Sequence, residues 1–295
     1  MKPMLASMIT DMDALNYPVL ASPKFDGIRA LTLDVLVSRN LKPIPNVYIR
    51  ERAKSLPNNL DGELILNNGT IAGATFSETS SAIMKRGGEP DVKYYLFDYV
   101  KDSLNKPAIS RQKDLLQVYL NHHKTSDFIV LVISKPISNK TELLLYEEKC
   151  LADGYEGVMI KSTDGRYKEG RSTESEGYLL KLKRFMDSEA IVMGFAEMMH
   201  NKNDAEEDFL GHTKRSSAIA GLVPAHTLGK LYVKDIKNSV EFEIGTGFNA
   251  TMRSRIWKHQ ELYLNKIVKY KYQVCGMKNK PRFPVFIGFR DERDM

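Results

Sequence analysis

Residues 22–30 read SPKFDGIRA, with Lys24 two residues before Asp26 and five before Arg29. Such a lysine is either a solvated surface charge or a nucleophile held among charged neighbours, and K-x-D-G-x-R alone recurs by chance. Its company decides. Downstream follow Ser38-Arg39, D-G-E-L at 61–64, Y-Y-L-F-D-Y at 94–99, E-G-V-M-I-K at 156–161 and L-L-K-L-K at 179–183. Most of these segments have strand composition, and residues two apart on a strand share a face. That rule groups Asp61 with Glu63 and Lys181 with Lys183, the lysines alternating with Leu180 and Leu182. One apolar face toward a core and one cationic face toward a cleft fit this pattern, as does a solvated surface strand.

The chemistry open to this set is nucleotidyl transfer. A lysine amine attacks phosphorus only after losing its proton, and nearby positive charge or burial favours that loss. Lys181, Lys183, Arg29 and a bound metal are candidate sources of that charge. Arg29 and Arg39 offer the forked donors that hold phosphate oxygens. Glu63 and Glu156 are hard oxygen ligands suited to Mg²⁺, which needs few protein carboxylates when phosphate oxygens complete its shell. Phe97 offers a ring for stacking on a purine.

The 295 residues suffice for two domains. Hydrophobic residues make up 42% and charged residues 27%, a balance that excludes a disordered chain. The longest apolar runs, such as FIVLVI at 128–133, are far short of a bilayer span and read as buried strands. The opening MKPMLASMITDMD lacks the form of a secretory signal, so an intracellular protein is expected. Two cysteines, Cys150 and Cys275, are too few for a disulfide scaffold or a four-cysteine zinc site. A formal charge of +6 suits a polyanionic partner.

Residues 1–187 alternate strand and helix signals, as an α+β domain does. DGELILNNGTIAGATF at 61–76 reads as strand, Asn68-Gly69 turn, strand. NKTELLLYEEKCLADG at 139–154 places Leu143, Tyr146 and Cys150 on one stripe between a capping Asn139 and a terminating Gly154, which predicts an amphipathic helix. From 188 to 295 short strands follow one another, which predicts an all-β second domain. In KIVKYKYQV, Val268, Tyr270, Tyr272 and Val274 alternate with Lys269, Lys271 and Gln273, giving an apolar face and a basic, polar one suited to a phosphate backbone. Residues 200–229 show no sustained period of either kind and read as a long loop, functional or merely exposed.

Taken in order, KFDGIR, SR, DGEL, YYLFDY, EGVMIK and LLKLK resemble the motifs of the covalent nucleotidyltransferases, the superfamily of ATP-dependent DNA ligases, RNA ligases and mRNA capping enzymes. The resemblance covers nearly the whole chain. YEGVMIK, GRST, IGTGF and the ending RFPVFIGFRDERD resemble the minimal viral ATP-dependent DNA ligases. The resemblance implies an adenylation domain followed by an OB-fold, with the 200–229 segment in the place of a DNA-encircling latch. It makes Lys24 the carrier of a lysine-AMP bond and gives Arg29 a substrate phosphate or ribose. Arg39 takes the 5′-phosphate of a nick, Glu63 the ribose or a metal, Phe97 the adenine, Glu156 a metal, and Lys181 and Lys183 phosphates. Ser22 stands where many cellular ligases carry a glutamate that reads adenine, so backbone groups there take over that task. In the insertion, Lys214 and Arg215 become DNA-backbone contacts, joined by Lys269 and Lys271 of the barrel. Arg290 and Asp294 fall in a terminal motif that orients pyrophosphate, with Arg290 or Arg293 supplying a charge that the family places after the aspartate.

The implied cofactors are ATP and Mg²⁺, with Mn²⁺ as a substitute. The implied partner is nicked duplex DNA, bound by a monomer, with no membrane involved. A GTP-using capping enzyme, an RNA ligase and a catalytically inactive nucleic-acid clamp are the alternatives. An NAD-dependent ligase is set aside, because that family adds an N-terminal nicotinamide-binding region and usually a four-cysteine zinc module.

Overall fold

The computed structural model describes residues 1–124, 126–208, 210–273 and 280–290. Two compact units emerge, Met1–Lys183 with Glu207–His212, and Arg184–Glu206 with Thr213–Met295.

The first unit is built on two five-stranded sheets. One runs Leu36–Ser38, Ile28–Thr32, Leu60–Leu66, Val92–Tyr99, Ile129–Leu131; the other runs Ser7–Met8, Leu180–Leu182, Gly157–Ser162, Val19–Lys24, Lys135–Ile137. Each sheet buries one parity of its residues under helices. Ala30, Leu60, Leu64, Tyr94 and Leu96 pack with Ile49, Ile83 and Leu115, which come from the helices Val47–Ala53, Phe76–Met84 and Ala108–His122. Val19, Ala21, Val158, Ile160, Leu180 and Leu182 pack with Leu143 and Cys150 of the helix Lys140–Ala152. Part of the opposite parity, including Arg29, Glu63, Phe97, Met159 and Lys181, lines a cavity. The chain passes from one sheet to the other at residues 25–27, so Lys24 ends the last strand before the crossing.

The helix Lys140–Ala152 forms as its sequence predicts, with the Asn139 side chain accepting from Glu142 N and Gly154 at φ +89° closing it. The expected hairpin at Asn68-Gly69 does not form. After Leu66 the chain turns into the helix Phe76–Met84, and the strand hydrogen-bonded beside Leu60–Leu66 is Val92–Tyr99. Thr75 and Glu78 cap that helix reciprocally, a T-x-x-E signal that outranks the turn dipeptide. In the 128–133 run only Ile129–Leu131 joins a sheet, and Ile133 is 72% exposed.

The second unit is β-rich, as expected, and also carries the helix Ala250–Lys258. Its five strands run in the order Glu241–Ile244, Leu222–Asp235, Met186–Asn201, Ile267–Gln273, Arg282–Phe289. Phe286 N donates to Thr246 O at 2.9 Å, so the two edges of the sheet meet and it closes toward a barrel. The core holds Val192, Leu231, Val233, Ile244, Ile256, Val268 and Tyr270.

Two expectations for this unit are corrected. Residues 200–229 are largely extended: Met186–Asn201 and Leu222–Asp235 pair as far as Asn201↔Leu222, and the short strands Ala205–Glu207 and Thr213–Arg215 pair beyond them. Residues of those short strands are exposed throughout, so backbone pairing holds the ribbon with no apolar alternation for a sequence to display. Gln273 is buried at 7% exposure, its Oε1 without a partner, and does not join the basic face. The ladder also places Asp187 opposite Lys271 and Glu189 opposite Lys269, so that face is of mixed charge. Val274, Cys275, Arg293 and Asp294 lie outside the described residues.

Candidate active site

Lys24 closes its strand opposite Gly157, and Glu156 N donates to Lys24 O at 3.0 Å. This register puts the Glu156 carboxylate against the lysine. Lys24 Nζ pairs with one of its oxygens and Lys183 Nζ with the other. Glu156 is buried at 6% exposure. A buried carboxylate shared by two ammonium groups is well compensated, and it fixes Lys24 relative to the Leu180–Leu182 strand. Glycine is required at both flanks. A Cβ on Gly27 would run into the Leu64 carbonyl oxygen, and one on Gly157, at φ +150°, into that of Leu182.

Between the sheets lies a cavity of about 240 Å³. Seven of the residues singled out from sequence line it: Ser22, Lys24, Arg29, Arg39, Glu63, Phe97 and Lys181. Of the two pairs that the two-residue rule grouped, Glu63 and Lys181 line the cavity, whereas Asp61 is fully buried beneath it and Lys183 lies just beyond the Leu180–Leu182 strand. Glu156 and Lys183 reach the site through their ion pairs with each other and with Lys24. Phe97 sits in a small aromatic and aliphatic cluster with Phe25, Ile65 and Tyr95. Phe25 packs on Tyr95 and Tyr155 at centroid distances of 4.7 and 5.2 Å.

One of the roles read from sequence meets a different local setting. Arg29 spends its fork on Asp61, with Nε to Oδ1 and Nη2 to Oδ2 both at 2.5 Å, and Nη2 also donates to Met4 O at 3.2 Å. Its guanidinium carbon lies 4.7 Å from the Phe97 ring centroid. What remains for a ligand is Nη1 and the cationic plane, rather than a free fork. The remaining candidates lie in the second unit. Lys214 and Arg215 are exposed, and Arg215 Nη1 donates to Asn203 O inside the insertion. Lys269 pairs with Asp187 at 3.5 Å, Lys271 lies over Phe185, and Arg290 pairs with Glu189 at 2.8 Å.

Sequence reasoning overlooked Lys161 and Arg171, which also line the cavity. Lys161 shares its parity with Met159 on the EGVMIK strand, a signal that was available. Its Nζ donates to Phe97 O and to Asp98 Oδ2, both at 2.8 Å, tying the two sheets together. Arg171 lies in GRST and had no periodic signal.

The electrostatics suit a polyphosphate. Burial, and then the charges of Lys24, Arg171 and Arg39, push the Lys181 ammonium below its ordinary pKa. Burial pushes the Glu63 carboxyl up to about 7, with Arg29 and Lys24 opposing it. Between the ordinary carboxyl value and about 7 the folded protein therefore holds a proton that the unfolded chain releases, so stability falls as pH rises across that window. Glu63→Gln is expected to stabilise the ligand-free protein by about 1–3 kcal/mol at pH 8 and by far less near pH 5. Thermal unfolding at the two pH values checks this, and an equal gain at both would contradict it.

The family model of the ATP dependent DNA ligase domain matches residues 3–183, and that of the DNA ligase OB-like domain matches residues 223–290. The solved Chlorella virus DNA ligase-adenylate is 36% identical, with 98% of this chain and 99% of that chain covered and a TM-score of 0.58. A DNA ligase of Haemophilus influenzae is 25% identical over 280 residues, 92% of this chain and 87% of that protein. A DNA ligase of African swine fever virus is 28% identical over 148 residues, 49% of this chain; the match spans 33% of the viral protein's length.

Proposed function

The chain belongs to the ATP-dependent DNA ligase family, and from that membership we propose that it seals nicks between a 3′-hydroxyl and a 5′-phosphate in duplex DNA, acting as an intracellular monomer. The observation that carries this reading is Lys24, held by Glu156 at the edge of a cavity walled by Lys181, Arg171 and Arg39. The similar Chlorella virus protein, solved as a ligase-adenylate, supports the covalent step.

Three transfers make up the reaction. Lys24 Nζ attacks the α-phosphorus of ATP; an N–P bond forms, the bond to the β-phosphate oxygen breaks, and pyrophosphate leaves with those electrons. The 5′-phosphate of the nick then takes AMP from the lysine, forming a pyrophosphate linkage. Finally the 3′-hydroxyl attacks that 5′-phosphate and releases AMP. The chain's own contribution is placement and charge. Phe97 and Arg29 face the base and ribose, Ser22 presents the strand along which adenine is read, and Lys181, Lys183, Arg171 and Arg39 meet phosphate oxygens.

No group of three or more His, Cys, Asp or Glu residues forms a metal cage among the described residues. That donor set fits an ion that arrives on phosphate oxygens and takes one or two carboxylates. Bound Mg²⁺, or Mn²⁺ in its place, would be held by Glu63 and Glu156 and would neutralise phosphate charge. Arg39 would meet the 5′-phosphate. Lys214 and Arg215, with Lys269 and Lys271, would follow the DNA backbone, and Arg290 would approach the pyrophosphate together with Asp294. Residues 200–229 would serve as a DNA-contacting latch.

The direct test supplies ATP and Mg²⁺ with a singly nicked DNA duplex. A sealed strand with one AMP per bond is expected, and sealing confined to RNA nicks would move the reading to an RNA ligase. Nick affinity should fall with salt at a log-log slope of about −0.9 per phosphate neutralised. Lys214→Ala should flatten that slope by about one unit while leaving self-adenylation unchanged; an unaltered slope would remove Lys214 from the DNA surface.

A further inference from the structure

Tyr167, in the GRYKEGRST segment at 165–173, had no role in the sequence reading, and it lies at the centre of a buried polar network behind the cavity. The residue is 1% exposed. Its hydroxyl donates to Asp61 Oδ2 at 2.6 Å and accepts from Met4 N at 3.1 Å. Asp61 is 0% exposed and carries the Arg29 fork, while Met4 O accepts from the same Arg29 Nη2. Four separated parts of the chain therefore meet in one network around the Arg29 guanidinium. The Arg29 strand supplies the charge, the Asp61 strand its counter-charge, and the 163–169 turn with the first strand Met4–Leu5 closes the ring.

This network faces a surface that the ligand must use. Arg29 lines the cavity and lies over the Phe97 ring at 4.7 Å. With Nε and Nη2 committed, the position of Nη1 and of the cationic plane is set by the rotamer of Asp61. One Asp61 oxygen accepts from Arg29 Nε; the other is shared by Arg29 Nη2 and the tyrosine hydroxyl. Removing the hydroxyl would leave that second oxygen with the guanidinium alone. Burial, then the Asp61 charge, pushes the Tyr167 hydroxyl well above its ordinary pKa, so it remains a donor throughout the neutral range.

We propose that Tyr167 is a positioning residue for the nucleotide site, acting through Asp61 to hold Arg29 in the pose that receives the adenylate beside Phe97. The proposal rests on the function proposed above and concerns binding of the nucleotide rather than the chemistry of transfer. A charge-assisted hydrogen bond that pre-sets a binding group is lost as ligand affinity when the group becomes free to move.

The test is equilibrium binding of α,β-methylene ATP, which cannot transfer AMP, to four proteins: wild type, Tyr167→Phe, Arg29→Lys and the double variant. All are measured at a temperature where circular dichroism shows each folded. Tyr167→Phe should weaken binding about tenfold. In the Arg29→Lys background, where the fork is gone, the same change should have no further effect. Unchanged affinity in Tyr167→Phe, or losses that multiply in the double variant, would overturn the proposal, since a general packing role makes the losses independent. Wild-type adduct formation with ATP is run in parallel. If wild type neither binds the analogue nor takes up AMP, the proposed function itself fails; if it does both and Tyr167→Phe matches it, only this inference fails.

Discussion

Lys24→Ala is expected to abolish ATP-driven nick sealing, by roughly four orders of magnitude or more, while sealing of a nick already carrying AMP on its 5′-phosphate falls far less. The asymmetry follows from which bonds involve the lysine. In the proposed reaction its nitrogen forms a covalent bond to AMP in the first transfer and loses it in the second. In that scheme the third joins only the 3′-hydroxyl and the activated 5′-phosphate, with Lys181, Arg171 and Arg39 left as the proposed charge neutralisers. The substitution also releases one oxygen of Glu156, which keeps Lys183 as its partner, so the Leu180–Leu182 strand retains its anchor. Single-turnover sealing of the two substrates measures the split. Equal losses on both would mean that Lys24 acts as a general charge of the site.

Asp98→Asn is expected to be the most costly single change to stability, on the order of 3–5 kcal/mol. Asp98 is 4% exposed and serves two cations, the 0% exposed Arg111 and Lys161. Arg111 Nε reaches Oδ1 at 2.8 Å and Nη2 reaches Oδ2 at 3.1 Å, while Lys161 Nζ takes Oδ2 at 2.8 Å. Asparagine keeps the shape, removes the only charge that balances two buried cations in this triad, and points an amide donor at one of them. The loss corresponds to a fall of roughly 10 °C in the unfolding midpoint of the first unit. Burial opposes the Asp98 charge, but Lys161 and Arg111 outweigh it and hold the carboxyl well below the usual range. Its stabilisation is therefore complete above the ordinary carboxyl pKa and disappears as pH falls below it. Thermal melts of the two proteins should differ most at neutral pH and converge in strong acid. A constant difference would place the cost in packing rather than in charge.

The legible parts of this site were those that depend on local period. Strand alternation alone groups Lys181 with Lys183 and Asp61 with Glu63, because side-chain direction repeats every two residues. The helix at Lys140–Ala152 was legible for the same kind of reason, a stripe bounded by a cap and a glycine. What stayed hidden depends on pairing between distant strands. Arg29 stands opposite Glu63 in the ladder, yet its fork takes the diagonal neighbour Asp61, and the sharing of Glu156 by Lys24 and Lys183 depends on the register of three strands. Tyr167 had no periodic signal at all, since its turn reaches Asp61 across more than 100 residues of sequence. The insertion was hidden for another reason. A ribbon exposed on both faces is held by backbone bonds, and its composition matches that of an irregular loop.

The proposed reaction stands on the covalent adenylation of Lys24. Intact mass spectrometry of the protein, first cleared of bound AMP with pyrophosphate, then incubated with ATP and Mg²⁺ beside parallel GTP and Lys24→Ala samples, tests it most directly. The mass of one AMP is expected on the wild-type chain with ATP, none with GTP and none on Lys24→Ala. An adduct that persists in Lys24→Ala, or wild-type protein that takes up nothing from ATP, would contradict it.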